Sequence, residues 1–146
     1  MTANPMIFIN LPITDLERST AFYEAIGGIK EPKFSNDKAS MVRISNVINV
    51  MLLTHDFYAT FTPKPVADPK TSSAVLIAIS ADSREAVDAL IDRAAAAGGT
   101  PDIGPKQEYG DQMYGRSFED PDGHHWEVMW MAAEAAEQGA TSFENA

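Results

Sequence analysis

The chain repeats its own grammar, and that repeat limits the possible folds more than any other feature. Its first half opens on Met6-Ile7-Phe8-Ile9-Asn10-Leu11-Pro12-Ile13, an apolar and β-branched run that reads as a strand. Thr14-Asp15-Leu16-Glu17 then reads as a helix start, with Thr14 as the cap and Glu17 reaching back to it. Phe22 and Ile26 share one face of this helix, and Gly27-Gly28 ends it because glycine tolerates left-handed geometry. The second half follows suit. Ala74-Val75-Leu76-Ile77-Ala78-Ile79 reads as a strand, Asp82 with Glu85 starts a helix, Val87, Leu90, Ile91 and Ala94 form its apolar stripe, and Gly98-Gly99 ends it. Three further strand-like runs follow each glycine pair, near 30–36, 40–45 and 47–54 in the first half and near 101–109, 112–119 and 124–131 in the second. Each half is thus β-α-β-β-β, and the class is α+β.

These units occupy residues 1–55 and 74–132. The segment 56–73 between them carries Pro63, Pro65 and Pro69, too many prolines for a central strand, and suits a linker or lid. Residues 133–146, rich in alanine and glutamate, are expected to add a helical turn or two and then fray.

A chain of 146 residues can bury a core without a staple. None is offered, since the absence of cysteine excludes disulfides, thiolate zinc sites and cysteine nucleophiles. Neither a secretory leader pattern nor a membrane-length apolar run is visible, so a cytoplasmic location and no membrane partner are expected. The net charge of −10 repels phosphate backbones and argues against nucleic acid. No glycine-rich phosphate loop follows a strand, and no serine elbow occurs.

The tandem β-α-β-β-β plan, with Ile13-Thr14-Asp15-Leu16 before Ala21-Phe22-Tyr23 and with Phe118-Glu119-Asp120-Pro121-Asp122-Gly123 before the last strand, resembles the vicinal oxygen chelate superfamily of glyoxalases, bleomycin-resistance proteins and dioxygenases. Asn10-Leu11-Pro12, Met51-Leu52-Leu53-Thr54 and the stretch Tyr114 to His124 are similar to its lactoylglutathione lyase-like branch. The resemblance implies a cupped mixed sheet, with divalent-metal ligands at four inward positions that fall here on Phe8, Leu52, Leu76 and Glu127. A single carboxylate among three apolar side chains cannot replace the hydration shell of such an ion. No metal and no cofactor are therefore expected. A rival chelate of His125 and Glu127, on one face of the last strand, would need His124, His55 or a partner's residue to complete it, and solvated turn histidines are the simpler reading.

A carboxylate on an apolar face must be protonated or paired. If Asp120-Pro121-Asp122-Gly123 is a four-residue hairpin loop, Glu119 faces His124 and Arg116 faces Glu127. Arg116 then either neutralises Glu127 structurally or binds a substrate carboxylate while Glu127 acts as general base. Strand alternation adds Asn10, Val50, Thr54, Tyr114 and Met129 to a ligand-binding lining that already includes Phe8, Leu52 and Leu76, with Tyr109 and Met113 near its mouth. Trp126 and Trp130 fall on the face opposite Glu127 and read as core under a helix. The expected function is metal-independent binding of a small molecule by a homodimer. The alternatives are a glyoxalase-like lyase or isomerase using Glu127 and Arg116, and a dimeric structural or regulatory module with a filled cup.

Overall fold

A computed structural model describes residues 4–139 as two compact units. The first runs to Ser72 and takes in Pro121–His124, and the second holds Ser73–Asp120 and the chain from His125 onward. Each is a mixed sheet with helices, as an α+β chain requires.

The first unit contains β1 (Ile7–Ile13), α1 (Leu16–Ala25), β2 (Ile29–Glu31), β3 (Ala39–Arg43), β4 (Ile48–Thr54) and the short α2 (His55–Tyr58). Its strand order is β1-β4-β3-β2, with β1 and β4 parallel and the other pairs antiparallel. Alternation sends Leu11, Ile13, Val42, Val50 and Leu52 to one face, where they are buried with Phe22 and Tyr23 of α1. The two rings meet edge to face at 5.1 Å. Gly28 permits this closeness, because a Cβ there would collide with Val42 and with the Tyr23 carbonyl.

The cap of α1 departs from the sequence expectation. Asp15, not Thr14, accepts the Arg18 N–H at 3.0 Å, while Thr14 turns to Asp122. Asp122 accepts from the Thr14 N–H at 3.0 Å, the Thr14 hydroxyl at 2.8 Å and the Ser19 hydroxyl at 3.0 Å, with the Arg18 guanidinium at 3.5 Å. Its side chain is 5 % exposed. A buried carboxylate is tolerated because donors replace its water. Gly123 follows at φ 101° with its α-carbon against Pro69 and Lys70, where a side chain would be both strained and crowded. Asp-Pro-Asp-Gly is therefore an anchor as well as a turn.

Within 56–73, Thr54 caps α2, Phe57 and Phe61 pack edge to face, and a 3-10 turn at Ala59–Phe61 gives way to irregular chain. The prolines explain why no strand forms.

The second unit contains β5 (Ile77–Ser80), α3 (Arg84–Ala96), β6 (Thr100–Pro101), β7 (Gln107–Tyr109), β8 (Met113–Glu119), β9 (His125–Met131) and α4 (Ala133–Gln138). Its order is β5-β9-β8-β6, with β7 also on β8, and β5 is parallel to β9. Ser83, rather than Asp82, caps α3: its side chain accepts the Ala86 N–H at 3.0 Å. Val87, Ile91 and Ala94 are buried on α3, and Phe118 stacks on Trp126 at 6.2 Å within the core. The run near 101–109 divides into β6 and β7 because Asp102 adopts φ 56° and Gly104-Pro105 interrupts the ladder. The part of the tail after Gly139 lies outside the described residues.

Asp122→Ala should lower stability by about 3 kcal/mol, the order expected when several hydrogen bonds to one buried carboxylate are lost together. Urea denaturation monitored at the tryptophans measures it, and a cost under about 1 kcal/mol would remove Asp122 from its anchoring role.

Candidate functional site

The hairpin between β8 and β9 decides which side chains can meet. Glu119 pairs with His125, so five residues, Asp120–His124, form the connection instead of four. This shift of one residue places Ser117 opposite Glu127 and Arg116 opposite Val128. Arg116 and Glu127 consequently lie on opposite faces of the sheet, and the expected pair does not form.

Facing α3 are Tyr114, Arg116, Phe118, Trp126, Val128 and Trp130. Arg116 is held twice there. Its guanidinium makes a fork to Asp102 at 2.9 and 2.7 Å and reaches Asp88 of α3 at 2.8 Å. Tyr114 donates to the same Asp88 at 2.6 Å. The Tyr114 hydrogen bond, followed by that of Arg116, holds the Asp88 carboxyl below its ordinary value, and the Arg116 hydrogen bond does the same to Asp102. Burial, then the Asp88 hydrogen bond, raises the Tyr114 phenol. The Asp102 hydrogen bond, against burial, raises the Arg116 guanidinium further. Arg84 covers the region, with its guanidinium 5.1 Å from the Tyr114 ring centre and 5.5 Å from that of Trp130, and it donates to the Gly110 carbonyl. Arg116 and Tyr114 thus belong to a structural network under α3. Trp126 and Trp130 fall on this face as the alternation required.

The other face of the second sheet carries a second polar pair. His125 and Glu127, two residues apart on β9, join through Nε2 and Oε2 at 2.7 Å, with side chains 23 % and 24 % exposed. Ser117 stands across from Glu127 and accepts the Gly104 N–H at 2.9 Å. Met129 and Met113 share this face, as does Tyr109, paired with Met113 on β7. The pair, about three-quarters buried beside thioether and aromatic surface, can present hydrogen-bonding groups to a ligand.

In the first unit, Phe8 and Asn10 lie on the face away from α1, and Phe8 is half exposed. The Asn10 amide donates to the Phe8 carbonyl at 3.1 Å. Val50 and Leu52 do not join them: both are fully buried on the α1 face, because Leu52 pairs with Leu11 and Val50 with Val42. Thr54 is likewise occupied in capping α2. The fourth-strand residues on the Phe8 side are Asn49, Met51 and Leu53. Asn49 is fully buried, donates to the Ile7 carbonyl at 3.3 Å and leaves its Oδ1 without a partner. Sequence reasoning missed it, as it missed Ser117, because only the strand pairing reveals either. Leu76 precedes β5 and is 60 % exposed. His124 binds the Pro12 carbonyl at 2.7 Å and so stands apart from the His125–Glu127 pair. A cleft of about 380 Å³ between Pro12, Thr14, His55, Lys70 and Asp122 holds none of the expected ligand-binding residues, and the charge on its floor, Asp122, is already saturated.

A divalent ion does not fit this donor set. Of the four positions implied by the resemblance, Phe8 and Leu76 supply no oxygen or imidazole, Leu52 is turned to the α1 face and so leaves Met51 and Leu53 among its β4 neighbours on the Phe8 side, and Glu127 is engaged by His125. Among the described residues, no group of three or more His, Cys, Asp or Glu side chains is placed to hold a metal.

A family model described as the Glyoxalase/Bleomycin resistance protein/Dioxygenase superfamily matches residues 6–128. Among solved structures, a hypothetical protein from S. aureus aligns at 25% identity and a TM-score of 0.72, covering 89% of this chain and 95% of that one. A glyoxalase-related enzyme from Fulvimarina pelagi aligns at 24% and 0.71, covering 86% of each chain. The fosfomycin resistance protein FosX from Mesorhizobium loti aligns at 17% and 0.64, covering 94% and 99%. No curated protein matches the chain significantly.

The Arg116 network carries a pH signature. Asp88 and Asp102 titrate lower in the folded than in the unfolded chain, so their stabilisation is complete above the ordinary value of 3.8 and is lost as pH falls through their folded values. Both carboxylates are more than 40 % exposed, which keeps the effect modest. The stability gap between wild type and Arg116→Gln, from urea midpoints, should therefore be widest at neutral pH and narrow in acid; a gap independent of pH would exclude the network as its source.

Proposed function

The chain belongs to the Glyoxalase/Bleomycin resistance protein/Dioxygenase superfamily, and on that premise we propose that it binds a small molecule, without a metal, at the His125–Glu127 face of its second sheet. One observation carries this reading. A carboxylate and an imidazole, 2.7 Å apart and about three-quarters buried, project from a face that also carries Met113, Met129, Tyr109 and Ser117. A small-molecule site needs a few directed polar groups on a mostly apolar lining, and this pair beside the methionines and Tyr109 meets that requirement. The side chains at the expected chelating positions support metal independence, because Phe8 and Leu76 carry no donor atom and Leu52 is buried on the α1 face.

Catalysis is the second reading, favoured by the same pair. With His125 orienting Glu127, the carboxylate is a general base for proton abstraction next to a carbonyl, the step a lyase or isomerase needs. Arg116 plays no direct part, since its donors are committed on the other face. Assembly as a homodimer belongs to this proposal. Ile7 and Phe8 in the first unit, and Val75 and Leu76 in the second, each expose about half or more of their surface next to strands that edge their sheets.

A thermal-shift screen over thiol conjugates, aromatic acids and cationic antibiotics should find at least one stabiliser, and Glu127→Gln and His125→Ala should abolish its shift. No stabiliser, or one indifferent to both substitutions, would refute the site. Elemental analysis of purified protein should find no divalent metal at stoichiometric level; a full equivalent lost with Glu127→Ala would overturn metal independence.

A further inference from the structure

The loop between β6 and β7 touches both faces of the second sheet. On the α3 side, Asp102 receives the two-pronged hydrogen bond of Arg116, and its backbone is fixed at φ 56° with its N–H on the Ser117 carbonyl at 2.7 Å. A left-handed aspartate costs free energy that its surroundings must offset, and the Arg116 fork supplies that. Two residues on, Gly104 reaches the opposite face. Its N–H donates to the Ser117 hydroxyl at 2.9 Å, and a Cβ placed on it would lie 3.6 Å from Cε1 of His125, so the loop passes beside the imidazole with about a methyl group's space between them.

We propose that Arg116 is a positioning residue for the His125–Glu127 site, acting through Asp102 and Gly104, which hold Ser117 and wall the His125 ring from the far side of the sheet. The inference rests on the reading of that face as the ligand site. It also assigns a purpose to a loop that is otherwise too short and irregular to extend the ladder. Asp88, the second carboxylate on Arg116, belongs to α3 and has no bond to this loop. The two carboxylates are similarly exposed and each accepts two hydrogen bonds, Asp102 both from Arg116 and Asp88 one each from Arg116 and Tyr114, but of the two only Asp102 lies on the loop that reaches the site.

That contrast supplies the experiment. Carbethoxylation of His125 by diethyl pyrocarbonate is followed by peptide mass mapping, with exposed His55 as internal reference. Asp102→Asn and Arg116→Gln should speed modification of His125 about fivefold relative to His55, the factor that follows from losing a partly exposed charge-assisted contact. Asp88→Asn should leave it near the wild-type rate. Ser117→Ala, which removes the acceptor for Gly104 without touching either charge, should also speed it and serves if Arg116→Gln does not fold. An unchanged His125 rate in Asp102→Asn, or an equal rise in Asp88→Asn, would overturn the proposal. Because the readout needs no ligand, its failure is separable from a failure of the ligand-site reading, which the thermal-shift variants decide.

Discussion

The pairing of β8 with β9 through a five-residue connection is the constraint on which the remaining assignments depend. With Ser117 opposite Glu127, the second sheet separates into a face under α3 that concentrates aromatic rings and ion pairs, and a face that carries His125, Glu127 and the methionines. One residue fewer in the connection would exchange the two sets, setting Arg116 beside Glu127. The connection's length is itself enforced. Asp122 and His124 are bonded to Thr14 and Pro12, and Gly123 fits against Lys70, so none of the three is available to extend the ladder.

The organisation of charge follows from that division. Under α3, Arg116 satisfies two carboxylates that sit close to half exposed, a geometry in which charge-assisted hydrogen bonds are favourable and the desolvation cost is moderate. On the other face, Glu127 lacks an arginine and is bonded instead to the His125 imidazole.

Much of the architecture was legible from residue order. Two glycine pairs ended both helices, Val87, Ile91 and Ala94 fell on the buried stripe, and Trp126 and Trp130 fell on the α3 side. Helix starts were misplaced by one residue at Thr14 and at Asp82, because adjacent residues in each case could serve as caps and only the bonded donor distinguishes them. The site was less legible for a related reason. Val50, Leu52 and Tyr114 have the hydropathy of a ligand lining and are instead packed under helices, since the offset of β4 against β1 and of β8 against β9 is a property of pairing, not of either strand alone. Asn49 and Ser117 look unremarkable in the sequence and gain meaning only from their cross-strand neighbours.

The separation of the two faces turns on which side chain Glu127 is coupled to, and a pair of double-mutant cycles in urea measures that directly. Histidine 125 and glutamate 127, each replaced singly and together, should show a coupling of about 0.5–1 kcal/mol, while the cycle joining positions 116 and 127 should close to within about 0.3 kcal/mol of zero. The opposite result, with the larger coupling between 116 and 127, would contradict the register and with it the separation of the two faces.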